Sequence, residues 1–290
     1  MVFDKIRNFS NEARRWGFTS ALKIYFDRFI NYSDLGNRRF AKASQSFLAK
    51  TVFWLQLRRG TPVFVYQMGK VGSTSVYLSL LRRLPGAVVH SHNFMADHPR
   101  YQTRRLYQWA IVEKRPINVI SLVREPLSRN VSALFQNYQR DLGTPFNGEQ
   151  VSYEKLMGVL LSKYHPGMTR WFEKHIQKNF GIDVYAEPFP ESGFATYALE
   201  NVRLLVVRLE ISNGEKEKAI REFLGLDRFQ IVNANVGSEK NYAEQYAKFK
   251  SLVRLPKDYV GAICDSKFAR HFYSPEVIEK ARATWTQPSN

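Results

Sequence analysis

Residues 63–78, VFVYQMGKVGSTSVYL, lead from an apolar, β-type run through a loop holding Gly69, Lys70 and Gly72 into a helical pattern. A strand that ends in a glycine loop opening a helix forms an anion cradle at the carboxyl edge of a parallel sheet. Glycines let backbone N–H groups approach an anion, the helix start turns the positive end of its dipole toward it, and Lys70 adds a full charge. The loop that binds nucleoside triphosphates, G-x-x-x-x-G-K-[ST], places its lysine directly after the last glycine. Here Ser73 follows Gly72, so that motif fails. Ser73 and Thr74 could serve as plain helix caps. A lysine between two loop glycines has no capping purpose.

The flanking pattern repeats the unit. Residues 87–90 and 118–123 read as short apolar strands, and residues 98–114 and 127–140 as helices, the latter with apolar side chains at 127, 131, 134, 135 and 138. Strands alternating with helices argue for a parallel sheet covered on both faces. Further on, helices are expected over 153–161 and 168–180, the second stopped by Gly181, and strands over 194–199 and 202–209. Ser212 and Glu215 have capping-box spacing before a helix ending at Gly225, and Tyr242, Tyr246, Phe249 and Val253 mark another amphipathic helix. No stretch rich in Pro, Gly or Ser divides the chain. The expectation is therefore one P-loop-like α/β domain over residues 61–290, behind a basic helical extension over residues 1–60 and with further helices at the C-terminal end.

Charge narrows the partners. The 290 residues carry 43 Lys and Arg against 26 Asp and Glu, a formal charge of +17, which points to an anionic partner. Residues 1–60 hold 12 of those cations and four acids. Within them Trp16, Phe18, Leu22, Tyr25, Phe26 and Phe29 form a stripe that suits a helix packed on the main domain or one lying on a membrane surface. No zinc finger, RNA-recognition signature or Arg-rich repeat names a specific nucleic acid. The apolar runs at 46–57 and 202–209 are too short or too interrupted for a membrane span, which needs about 18 residues. No apolar signal segment follows Lys5 and Arg7. With Cys264 the single cysteine, no disulfide framework exists, and a cytoplasmic protein is expected, touching the inner face of the membrane through its basic N-terminus.

A second anion site is legible in SLVREPLSRNVS, residues 121–132. Arg124 stands at the strand's carboxyl edge, Pro126 is placed to open the helix, and Ser132 follows Arg124 by eight residues. A magnesium-dependent kinase or ATPase would want an acid where Arg124 stands; Glu125 comes one residue later. The plain alternative for Arg124 is an ion pair with Glu125 or Asp141. At the end of the second strand, His90 and His92 in VVHSHNF are candidate general bases, because imidazole titrates near neutrality and the strand end opens onto the same edge. Satisfied core histidines, or a metal site completed by His98, are the alternatives. Glu125 is the fallback base, followed by His165, His175 and Glu187.

QMGKVGSTS resembles the 5′-phosphosulfate loop of sulfotransferases that use 3′-phosphoadenosine 5′-phosphosulfate (PAPS). REPLSRNVS resembles their 3′-phosphate motif, R-x-P-x-x-R-x-x-S. Residues 171–190, 204–210 and 267–276 resemble bacterial capsular polysaccharide synthesis proteins, a sulfotransferase-like group, and the likeness spans roughly residues 60–285. The resemblance implies the sulfotransferase fold, with PAPS as donor and no required metal, since a sulfuryl group carries less charge than a phosphoryl group. Gly69, Lys70, Gly72, Ser73, Thr74 and Ser75 would then hold the 5′-phosphate, and Arg124 and Ser132 the 3′-phosphate. Lys70 would neutralise the leaving group. His92, in an H-x-H context similar to that of uronyl sulfotransferases, would be the base, assisted by His90. The implied acceptor is a hydroxyl of an anionic glycan, capsular polysaccharide or glycolipid. The late R-K-G-x-x-G-D-W loop of cytosolic sulfotransferases is absent, leaving residues 238–242 as the expected replacement for its lid. A divergent P-loop nucleotide or sugar kinase and a non-catalytic basic scaffold stay open as alternatives.

Overall fold

A computed structural model describes residues 47–143, 152–164, 166–232 and 242–286. The aromatic stripe from Trp16 to Phe29, His165 and residues 238–241 lie outside the described residues.

Among the described residues five strands form one sheet: β1 (Val63–Tyr66), β2 (Val88–Ser91), β3 (Ile117–Val123), β4 (Phe194–Leu199) and β5 (Val202–Arg208), in the order β2-β1-β3-β5-β4. β1 pairs in parallel with both β2 and β3, β5 pairs in parallel with β3, and only β4 runs antiparallel, as the edge partner of β5. Every residue of β1 and β3 is buried, as continuous Val/Ile/Phe-rich strands covered on both faces require. The β4–β5 turn is pinned by Asn201, whose side-chain amide donates to the carbonyls of Ala110 and Arg115.

The helices are α1 (Phe47–Leu57), α2 (Ser73–Arg83), α3 (Tyr101–Tyr107), α4 (Pro126–Gln136), α5 (Tyr138–Leu142), α6 (Tyr153–Lys163), α7 (Asn213–Leu224), α8 (Ala243–Leu252), α9 (Lys257–Cys264), α10 (Lys267–Phe272) and α11 (Pro275–Thr286). Two departures from the sequence pattern have local causes. The helix expected over 127–140 breaks at Asn137, beside the Tyr164 hydroxyl, which donates to the Ala133 carbonyl and receives the Asn137 amide. The helix expected over 168–180 opens as a 3₁₀ turn (Pro166–Arg170), widens into π winding (Phe172–Gln177) and closes at Gly181 with φ of 73°. The wider turn lays the Trp171 and His175 rings 5.0 Å apart and brings His175 Nδ1 to 2.7 Å from the buried Tyr66 hydroxyl. The capping box of Ser212 and Glu215 forms at the start of α7.

Two apolar clusters result. The larger covers the sheet and takes in Phe53 and Leu57 of α1, Trp171, Phe172, and Phe268 and Phe272 of α10. The second joins Leu127, Val131, Leu134 and Phe135 of α4 to α6, α8, α9 and Trp285 of α11. Between β1 and β3 the chain reverses its direction of progress across the sheet, and crevices at such switch points are where open α/β sheets receive ligands. The glycine loop after β1 and Arg124 after β3 flank that crevice. Among the described residues, no helix is long and apolar enough to cross a membrane.

Candidate functional site

The loop after β1 is built by unusual backbone. Lys70 has φ of 75° and Gly72 φ of 74°. A non-glycine residue in this left-handed region costs about 1–2 kcal/mol and persists where its surroundings over-determine it. At Gly72 a side chain is also excluded, since an added Cβ would lie 2.6 Å from Leu209 Cδ1.

Two arginines determine the loop's orientation. Arg124 Nη1 donates to the Lys70 carbonyl at 3.2 Å, and Arg129 Nε donates to the Gly69 carbonyl at 2.9 Å. In a trans peptide the N–H opposes the C=O, so these bonds turn the Lys70 and Val71 amides to the other side of the loop. Arg129 is buried at 7% exposure and braced by Asn130, which in turn donates to Tyr164 O and to the Tyr259 hydroxyl. Burial lowers its pKa from the ordinary 12.5 to about 10, so it is charged at neutral pH. Arg129 lies inside the R-x-P-x-x-R-x-x-S stretch, but nothing in the sequence showed that it was buried under the loop.

The helix start is the next element. Gly72 is the N-cap of α2 and provides no side-chain cap, and the Ser73 hydroxyl is not spent on capping. It lies 3.1 Å from His90 Nε2, which is also 3.0 Å from the Gln67 amide nitrogen. The His90 ring stacks on Tyr77 at 5.2 Å. Enclosure first, then the charges of His92 and Arg100, lower its pKa to about 3. His90 is therefore a neutral acceptor that ties the second strand to the phosphate loop.

His92 sits 5.2 Å from His90, ring to ring, and nearly perpendicular to it, with part of its surface open to solvent. Its Nδ1 is 2.8 Å from the Gln67 carbonyl, so Nδ1 carries the proton and Nε2 keeps its lone pair. Crowding by the cleft walls lowers its pKa; the bond to Gln67 opposes this, and Lys70, Arg100 and Arg129 add to the lowering. The imidazole is therefore neutral at pH 7 and shaped to accept a proton on Nε2.

The remaining candidates divide. Thr74, Ser75 and Ser132 are half-buried on the first turns of α2 and on α4. Asp141 is engaged by Arg140, Lys163 and Tyr164. Glu125, the fallback base, is the N-cap of α4: its two oxygens accept from the Leu127 and Ser128 amides. His98 is buried, receives the Arg100 amide on Nδ1 and contacts Ser91 through Nε2, which leaves it no free nitrogen for a metal shared with His90 and His92. Among the described residues, no group of three or more His, Cys, Asp or Glu could hold a metal ion. His175 is taken up by Tyr66 and Trp171.

Two residues of the edge were not singled out from sequence. Arg100 is the N-cap of α3, directly beyond the histidine strand. Glu210, at the end of β5, accepts from the Glu125 amide at 2.8 Å and from the buried Tyr273 hydroxyl at 3.2 Å. Through Glu210 and Tyr273 the last third of the chain is fastened to the edge that carries Arg124.

Tyr164, Leu209, Glu210 and Tyr273 all fall within a stretch that matches a family model. No curated protein and no solved structure matches the chain. Residues 154–274 match the family described as "Putative capsular polysaccharide synthesis protein".

Proposed function

We propose that the chain is a sulfotransferase, moving a sulfuryl group from PAPS to a hydroxyl of a glycan, capsular polysaccharide or glycolipid. The observation that carries this reading is the convergence of Lys70, Arg124 and Arg129 on one glycine loop beside a neutral imidazole with an open Nε2. The family match over residues 154–274 supports the broader part of this reading, a biosynthetic enzyme of capsule assembly.

The donor set fits a nucleotide with two separate anionic groups. The loop between Gly69 and Ser73, with the start of α2, suits a 5′-phosphosulfate, while Arg124 and Ser132 at the head of α4 suit a 3′-phosphate. PAPS, when bound, supplies a sulfuryl group whose bond to the 5′-phosphate oxygen breaks as the acceptor oxygen bonds to sulfur. Lys70 neutralises the charge left on that phosphate oxygen. Nε2 of His92 takes the acceptor's hydroxyl proton while Gln67 holds the ring through Nδ1. His90 orients the Ser73 hydroxyl, and Arg129 fixes the peptide that carries Lys70.

The acceptor is an anionic sugar. The side-chain charges that bear on His92 are those of Lys70, Arg100 and Arg129, with no carboxylate among them. Arg100 lies outside both phosphate motifs, and its charge adds to the positive field at His92 that an anionic acceptor would meet.

Thermal denaturation with added nucleotide tests this function. Adenosine 3′,5′-bisphosphate should raise the midpoint in the presence of EDTA, and by more than ADP does, because a ligand of the native state stabilises it by mass action. Equal shifts for the two nucleotides, or stabilisation only by ATP with magnesium, would refute it.

A further inference from the structure

The first described helix presents an apolar face that the core does not use. α1 buries Phe53 and Leu57, yet Val52, Trp54 and Leu55 are 39%, 38% and 46% exposed. The other large apolar side chains exposed among the described residues, Met95, Val112, Leu199, Leu252 and Val277, come from scattered elements, so this one turn is the concentrated patch. Cations frame it. The Arg58 guanidinium lies 3.5 Å from the centre of the Trp54 ring, Lys50 Nζ lies 5.6 Å from that of Tyr101, and Arg59 is exposed. No Asp or Glu occurs between Asp34 and Asp97, a stretch holding nine Lys and Arg.

We propose that α1 docks the protein on an anionic phospholipid bilayer, inserting Val52, Trp54 and Leu55 at the headgroup boundary while Lys50, Arg58 and Arg59 meet the lipid phosphates. A tryptophan with a guanidinium over its ring suits that boundary, where one side of the ring is apolar and the other wet. A short apolar turn alone gives weak binding, and neighbouring cations supply the rest near an acidic surface. A bilayer fits better than a protein partner because the exposed apolar side chains are flanked by Lys50, Arg58 and Arg59, with no acid anywhere in the helix. α1 also packs against the helix that follows Arg100. Phe53 meets the edge of Tyr101 at 6.2 Å, and Tyr101 directly follows Arg100. Docking through α1 is independent of the transferase chemistry.

Co-sedimentation of the full chain with vesicles tests the proposal. Vesicles of phosphatidylcholine mixed with phosphatidylglycerol should pellet the protein, and phosphatidylcholine alone should not. Leu55→Glu should lower the bound fraction at least about tenfold, whereas Leu252→Glu, on the exposed side of α8, should leave it unchanged. Trp54→Ser, with unchanged thermal midpoint, serves if Leu55→Glu misfolds. Failure to bind the acidic vesicles would overturn the proposal. Binding equally strong in Leu55→Glu and Trp54→Ser would assign it to cations elsewhere. A dimer in solution that Leu55→Glu converts to monomer would show that a second copy covers the face.

Discussion

His90 should make stability depend on pH in a way that one substitution removes. Its folded pKa is about 3 against the ordinary 6.5, so at about pH 5 the unfolded chain carries a proton on this residue that the folded chain does not. The unfolded state binds more protons, so stability is full above pH 6.5 and falls as the pH drops toward 3. Integrated from about pH 7.5 to about pH 5, the loss from this one group is about 2 kcal/mol. The structural cause is specific. Nε2 faces the Gln67 amide nitrogen and the Ser73 hydroxyl, a setting made for a lone pair, and the ring is stacked on Tyr77. Urea unfolding followed by tryptophan fluorescence at several pH values, for the parent chain and for His90→Asn, gives the comparison. His90→Asn lowers stability at every pH, so the slope is the measurement and not the level. His175 and His271, whose pKa values burial also lowers, titrate in both chains and cancel. The variant's stability should be flatter by about 2 kcal/mol across the interval. Parallel curves would mean that His90 titrates as a solvated residue, and the tie between the second strand and the phosphate loop would be wrong.

Lys70→Ala should lower turnover more than it weakens binding of adenosine 3′,5′-bisphosphate, whereas Arg124→Ala should cost that ligand about 1.5–3 kcal/mol, as expected for a charge-assisted contact. Calorimetry with steady-state rates decides, and the reverse pattern exchanges the two roles. Gly72→Ala should destabilise the chain by about 1–2 kcal/mol through its left-handed backbone, with a further part from the 2.6 Å approach to Leu209. Adding Leu209→Ala should recover only that further part, and an unchanged urea midpoint for Gly72→Ala would contradict the loop geometry.

The strand, loop and helix of residues 63–83 were legible because each has a strong local signal: a continuous apolar run, paired glycines, then helical spacing. The helix begins at Ser73 itself, which reads locally as a cap but finds its partner in His90, seventeen positions away. Glu125 read as a spare carboxylate because glutamate is not a favoured cap, yet it stands directly before Pro126 and fills that place. Arg100 and Glu210 gave no signal at all: each is a single charge on a connection, and only the sheet order brings them to the edge where Arg124 ends its strand. The π winding at Phe172–Gln177 was illegible for a different reason. Aromatic residues this dense satisfy several helical periods, and the contact of His175 with Tyr66 selects one.

The bond from Arg129 to the Gly69 carbonyl has a consequence for how the molecule comes apart. Arg129 is braced by Asn130, and Asn130 rests on Tyr164 at the end of α6 and on Tyr259 of α9, both bordering the second apolar cluster. The strands are stabilised by the first cluster, but the curvature of the loop they carry is stabilised by the second. Local opening of the late helices, as amide exchange would register it, therefore releases the loop while the sheet stays closed. The anion cradle then behaves as part of the C-terminal cooperative unit, although its sequence lies in the first third of the chain.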